Sequence, residues 1–209
     1  MKHALAAVVL SAAFFAAGPA SAGDMAGNVQ FLIGQRYLRD DFWKPLDSPA
    51  TYGIEIDFAP ASSPVHVALG VIAAAESGTA TLTDPFFGET TGSIDTSFFE
   101  FSTGFLWHPL KKAIVRPYLG AGVLTITAAN DSDFGIFSGN SDSDRSFGFY
   151  GNAGVFFKVG DSFNIGLDGR IVRGTKITIA GFDGNADYTQ ASMLLGFSWG
   201  NSTARHHDD

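Results

Sequence analysis

The chain has 209 residues, a net charge of −8 and a charged fraction of only 16%, against about 25% in ordinary soluble domains. Its 25 Gly and 20 Phe far outnumber the 13 Lys and Arg, and cysteine is absent. The acidic balance excludes a nucleic-acid partner, which needs a basic footprint; the missing cysteine excludes disulfides and a lipid-attachment thiol.

The first 22 residues read as a secretory signal. Lys2 and His3 form the basic end and residues 4–17 the apolar run. Ala20 and Ala22 occupy the −3 and −1 positions of a cleavage site before Gly23. Residues 23–200 are expected to form one domain, and the polar "NSTARHHDD" of 201–209 a disordered tail.

Within that domain, apolar and polar residues alternate with a period of two, the side-chain repeat of a β-strand. The pattern predicts strands over 28–38, 51–59, 64–75, 97–107, 114–127, 146–159, 162–174 and 188–200. Each is at least about as long as the ~9–11 residues a tilted strand needs to cross a bilayer. The connections alternate too. Those at 60–63, 108–113 and 160–161 are short, whereas 39–50, 76–96, 128–145 and 175–187 are long. Short turns at one end and long loops at the other is the layout of an outer-membrane barrel.

Parity separates two faces. One carries Phe31, Ile33, Ile56, Leu69, Phe101, Val123, Leu167, Met193, Leu195 and Phe197. The other carries Gly, Ser, Asn and Gln with isolated charges: Arg36, Glu55, Asp57, Glu100, Arg116, Lys158, Asp168 and Arg170. A soluble lipocalin-like barrel would hide the apolar set inside. Small residues, however, suit the narrow lumen of eight strands. Aromatics also gather at both strand ends, as membrane-interface girdles do. Phe58, Trp107, Phe157, Phe163 and Trp199 lie at the short-turn end, and Tyr37, Tyr52, Phe99 and Phe147 at the long-loop end. Turning the charged set toward lipid would cost about 2–4 kcal/mol per basic group at the midplane. The sum, on the order of 10 kcal/mol, rivals the stability of a domain. The apolar set is therefore expected to face hydrocarbon and the charges to pair inside as a plug that fixes register. Arg116 is expected to neutralise one of the inward acids.

Other motifs are weaker. Asp131, Asp133, Asp142 and Asp144 fall in the third long connection without the spacing of a calcium loop, and they read as a solvated acidic loop. Phe86 and Phe87 read as folding over the rim or meeting a partner. His66 and His108 lie beside Pro64 and Pro109 at the short-turn end, where they read as solvated turn residues. No G-x-S-x-G is present. No catalytic, cofactor or metal residue is expected.

The strand "RPYLGAGV" at 116–123 and the closing "LLGFSW" at 194–199 resemble the small outer-membrane β-barrel superfamily, the group of the OmpA transmembrane domain, OmpX and OmpW. The resemblance implies an all-β, eight-stranded, antiparallel up-and-down transmembrane barrel in a bacterial outer membrane. It further implies a monomer among outer-membrane lipids and lipopolysaccharide, not an enzyme, with a structural or surface-interaction role. An extracellular ligand would bind through 39–50, 76–96, 128–145 and 175–187. A narrow OmpW-like channel for small or hydrophobic solutes and a lipid A-modifying enzyme remain alternatives. The group often ends on an aromatic, whereas here Trp199 precedes ten further residues.

Overall fold

The computed structural model describes residues 25–84, 88–110, 113–134, 137–179 and 181–200. The expected signal (1–22, cleaved after Ala22), the tail 201–209, and Phe86 and Phe87 lie outside the described residues. Ten strands follow in chain order: β1 (Met25–Leu38), β2 (Ala50–Pro60), β3 (Val65–Asp84), β4 (Gly88–Trp107), β5 (Val115–Phe134), β6 (Phe137–Val159), β7 (Phe163–Arg173), β8 (Lys176–Ile179), β9 (Phe182–Asn185) and β10 (Tyr188–Trp199). A short 3-10 turn, η1 (Asp41–Trp43), precedes β2.

Strands β1–β7 and β10 close into one antiparallel barrel. The seam is β1, which pairs with β2 on one side and β10 on the other. Closure removes both sheet edges. Pro117 sits beyond the last β4–β5 pair, Trp107↔Leu119, so its missing N–H takes no bond from that ladder.

The alternation of β10 is complete. Tyr188, Gln190, Ser192, Leu194, Gly196 and Ser198 face inward and are buried. Thr189, Ala191, Met193, Leu195, Phe197 and Trp199 face outward and are exposed. The exterior of the whole barrel is a band of such exposed apolar side chains, among them Phe31, Ile33, Phe105, Leu119, Phe149 and Leu167. Gly27 lies opposite both Trp199 and Phe58, and the Tyr37 level is ten residues further along β1. Ten residues rise about 33 Å along a strand, and a typical barrel tilt shortens this to about 25 Å, the height of a membrane barrel's apolar band. Trp107, Phe157 and Trp199 stand exposed at the lower margin, and Tyr37, Tyr52 and Phe147 at the upper one. Phe58, Phe99 and Phe163 also point outward and are half-buried by their neighbours.

Two of the expected long loops are strand. β3 and β4 stay paired from Val65↔Trp107 out to Asp84↔Gly88. β5 and β6 continue past Ala128↔Asp144 to Phe134↔Phe137. These ribbons stand beyond the apolar band, with one face exposed and the other partly covered by the 42–46 segment and β8. Their Ser, Thr and Asp residues show no apolar phase, although the backbone ladder propagates unchanged. Asp131, Asp133, Asp142 and Asp144 are ladder residues rather than a loop.

The other two long connections fold over the barrel mouth. η1 contributes Trp43, and the β8–β9 hairpin contributes Ile177 and Ile179. These pack on the inward Leu38, Phe98, Ile126 and Val172 in one apolar cluster. Trp43 meets Phe98 edge-on with ring centroids 4.9 Å apart, and its indole N–H donates to the Asn185 carbonyl at 2.7 Å.

Inside the wall, glycine makes room for large side chains. A Cβ at Gly122 would stand 2.7 Å from the Tyr150 ring, and one at Gly154 would run into the Tyr118 ring. The face assignment yields a direct test. Leu195→Arg, on the outer face of β10, should block assembly of a closed barrel in liposomes, read as loss of heat-modifiable gel mobility. Wild-type mobility in that variant would mean the strand is placed out of phase.

Candidate functional site

The most organised chemistry lies in the lumen. Glu100 on β4 is fully buried at its centre, held between two arginines. Its Oε2 receives Arg36 of β1 at 3.2 Å, and its Oε1 receives Arg170 of β7 at 2.7 Å. Tyr188 of β10 also donates its hydroxyl to Oε2. Arg170 reaches Glu55 of β2 at 3.7 Å. Both guanidinium groups lie on aromatic faces, Arg36 3.8 Å above the Tyr188 ring and Arg170 4.0 Å above the Tyr150 ring. Cation–π contact of this kind is favoured where the cation is desolvated. The cluster thus ties six strands together across the barrel axis.

The remaining charges do not join it. Asp168 accepts hydrogen bonds from the Tyr118 hydroxyl at 2.6 Å and the Asn152 amide at 3.1 Å, both neutral donors. Arg116 donates to Asn164 and has no ion-pair partner among the described residues. Arg116 makes no direct ion pair with a described inward acid, and Asp57 is the acid whose charge acts on it across a longer gap. The strand position of Arg116 sets it beside a hydrogen-bonded chain of two amides and a hydroxyl, Asn164 to Ser198 to Asn28. Lys158, at the lower end of β6, is only half-buried and has no carboxylate partner among the described residues.

Below the arginine cluster lies a second group. Asp57 of β2 is fully buried and accepts Asn28 at 2.8 and 3.0 Å, Gln30 at 3.0 Å and His66 Nδ1 at 2.5 Å. His108 Nε2 stands 3.8 Å from the same carboxylate. The two imidazoles are 4.6 Å apart, and each is only 5% exposed. The reading of these histidines as solvated turn residues is overturned. Parity already placed Asp57 inside. The pairings Asp57↔Ala68 and His66↔Leu106 then bring two distant histidines to its height.

Between the two groups lies a void of about 10 Å³, lined by Gln30, Leu32, Glu55, Ile72, Tyr118, Asp168, Arg170, Gln190 and Leu194. That is about the space of one water molecule.

At the outer end, Asp40 ties two connections together. Its Oδ1 accepts the Phe42 N–H at 3.0 Å, and its Oδ2 accepts the Asn185 N–H at 2.9 Å. The Phe42 bond chiefly holds its carboxyl below the usual carboxylate range. Asp144 of β6 likewise accepts the Thr178 and Arg145 N–H groups, which depress its pKa and pin β8 to the β6 ribbon.

A closed antiparallel barrel of eight strands, apolar outside and polar within, has the fold of the small outer-membrane β-barrels. Solved structures of other proteins share it. A major outer-membrane protein from Thermus thermophilus is 15% identical, with 84% of this chain and 99% of that one covered and a TM-score of 0.55. OprG from Pseudomonas aeruginosa is 15% identical over 85% and 96% of the two chains, with a TM-score of 0.54. Neisserial surface protein A (NspA) is 13% identical over 83% and 96%, with a TM-score of 0.51. At these identities the likeness is one of fold. No protein-family model and no curated protein matches the sequence.

Two outcomes follow from this geometry. Glu100→Ala strips two buried arginines of their counter-charge, and such a break costs about 3–5 kcal/mol. The urea midpoint of the refolded barrel should fall far more in Glu100→Ala than in Lys158→Ala, and equal midpoints would mean the cluster is hydrated. For Asp40, a depressed pKa means its ties hold above the usual carboxylate range and are lost as pH falls through the folded value. Amide-exchange protection at Phe42 and Asn185 should drop at that point. Asp40→Ala should remove it already at neutral pH.

Proposed function

We propose that this protein is an integral bacterial outer-membrane barrel with a structural or surface-contact role and a lumen plugged by ion pairs. One observation carries the reading: the apolar residues form the outer wall, while the charges meet one another inside. Water gives no reason to expose Phe31, Phe105, Phe149 and Phe197 together, since soluble monomers rarely present apolar patches beyond a few hundred Å². Hydrocarbon does. Lipid and lipopolysaccharide are then the immediate surroundings, and the barrel works as a monomer.

The plug rests on the interior. Glu100 with Arg36 and Arg170 spans the lumen, and Trp43, Ile177 and Ile179 cover its outer mouth. The void of about 10 Å³ between the arginine cluster and Asp57 is on the scale of a single water rather than a solute path. Contact with the outside world falls to the rim: the β3–β4 and β5–β6 ribbons, η1 and the β8–β9 hairpin. The names of the compared proteins, an outer-membrane protein and a surface protein among them, agree with an outer-membrane location. No part of the reading calls for enzymatic chemistry.

Planar-bilayer recording tests the plug. The purified protein should give no current steps above background at neutral pH, whereas Glu100→Ala combined with Trp43→Ala should admit small ones. Regular steps from the wild type would turn the reading toward a narrow channel. Unchanged lipid A mass spectra on expression are expected as well, and altered acylation would turn it toward an enzyme.

A further inference from the structure

The group at the short-turn end of the lumen has no part in the plug, yet its members converge closely. Asp57, His66 and His108 each offer a ligand atom, and these atoms all lie within 4.8 Å of one another. Two imidazoles and one carboxylate form a donor set suited to zinc and its neighbours in the first transition row. All three residues are buried, and they come from β2, β3 and the end of β4, whose mutual register is fixed by the sheet. The His108 N–H also donates to the Pro64 carbonyl at 2.8 Å, which seats the second histidine beside the first.

The closest approaches within the trio all involve Asp57 Oδ1. His66 Nδ1 lies 2.5 Å from it and His108 Nε2 lies 3.8 Å from it. An ion seated among these three atoms takes the place of the proton that His66 Nδ1 and Asp57 share, with His66 ligating through Nδ1. Asp57 is itself oriented by Asn28 and Gln30, and Asn28 is held in turn by Ser198 and Asn164. A buried carboxylate beside two imidazoles supplies the negative charge that a divalent cation needs in a low-dielectric site.

We propose that Asp57, His66 and His108 bind one divalent transition-metal ion at the short-turn end of the barrel, with the two imidazoles as nitrogen ligands and Asp57 as the anionic member. The ion braces β2, β3 and the β4–β5 turn against one another. Both histidines stand at the strand ends, so the ion has only a short way to travel from the periplasmic side. The sequence hides the site because its members share no local spacing motif.

The test uses the full chain refolded in detergent, with His3, His206 and His207 replaced by alanine so that only the buried pair remains. Titration with Zn²⁺ should give one ion per barrel and an upward shift of the thermal midpoint. Co²⁺ should give visible d–d bands of a site with nitrogen ligands. His66→Ala, His108→Ala and Asp57→Asn, each checked for heat-modifiable mobility, should raise the Kd at least about tenfold. Absence of stoichiometric Zn²⁺ binding and of Co²⁺ bands in the folded triple-alanine background would overturn the proposal. So would unchanged affinity in the folded His66→Ala or His108→Ala variants. Where one histidine variant fails to fold, the other and the Co²⁺ spectrum decide.

Discussion

Every feature of this molecule depends on a backbone ladder with no free edge. β1 is bonded on both sides, to β2 and to β10. Once each N–H and C=O in the wall has a partner within the sheet, the outside can be as apolar as hydrocarbon demands. A strict period of two then sends one residue outward and the next inward at every level, so the composition of the two faces can differ completely. Phe31 and Ile33 point out between Gln30, Leu32 and Gly34, which point in.

Closure also confines the inward charges. Eight strands enclose little more than side-chain volume, so Arg36, Arg170, Glu55 and Glu100 are taken out of water together. Ionised groups in that setting need both counter-charge and hydrogen bonds. Glu100 obtains them from two guanidinium groups and the Tyr188 hydroxyl, and each guanidinium additionally rests on a tyrosine ring. The glycines opposite are part of the same arrangement: Gly122 and Gly154 leave the space that Tyr150 and Tyr118 occupy.

The inner half of the molecule was legible in the sequence because two constraints act there at once. The membrane demands an apolar face, and the narrow lumen demands small or polar residues, so residues such as Leu195 and Gln190 announce their sides. The short turns were legible for the same reason, since the alternation stops where they begin. Beyond the apolar band the first constraint lapses. Thr79, Thr81 and Thr91 belong to a paired ribbon, but their side chains carry no phase, and ladder bonds made by backbone leave no trace in residue type. The capping role of Trp43, Ile177 and Ile179 was missed because segments of three or four residues are too short for a period to stand out from the surrounding chain. Parity identified the inward charges without revealing which of them meet. That depends on the stagger between strands, which lifts Glu100 level with Arg36 and Arg170 and leaves Lys158 and Arg116 apart. The same stagger brings His66 and His108 to Asp57.

The wall of the barrel is not equally tall all the way round. β3, β4, β5 and β6 run on as paired ribbons while β1, β2, β7 and β10 stop near the apolar margin. The outer surface is thus a parapet on one flank and a low sill on the other. Two such molecules side by side in a crowded bilayer are not equivalent from every direction: a neighbour sliding in along the tall flank abuts stiff polar backbone well above the lipid, whereas one arriving along the low flank passes beneath it. Orientation within the plane is therefore written into the height of four strands.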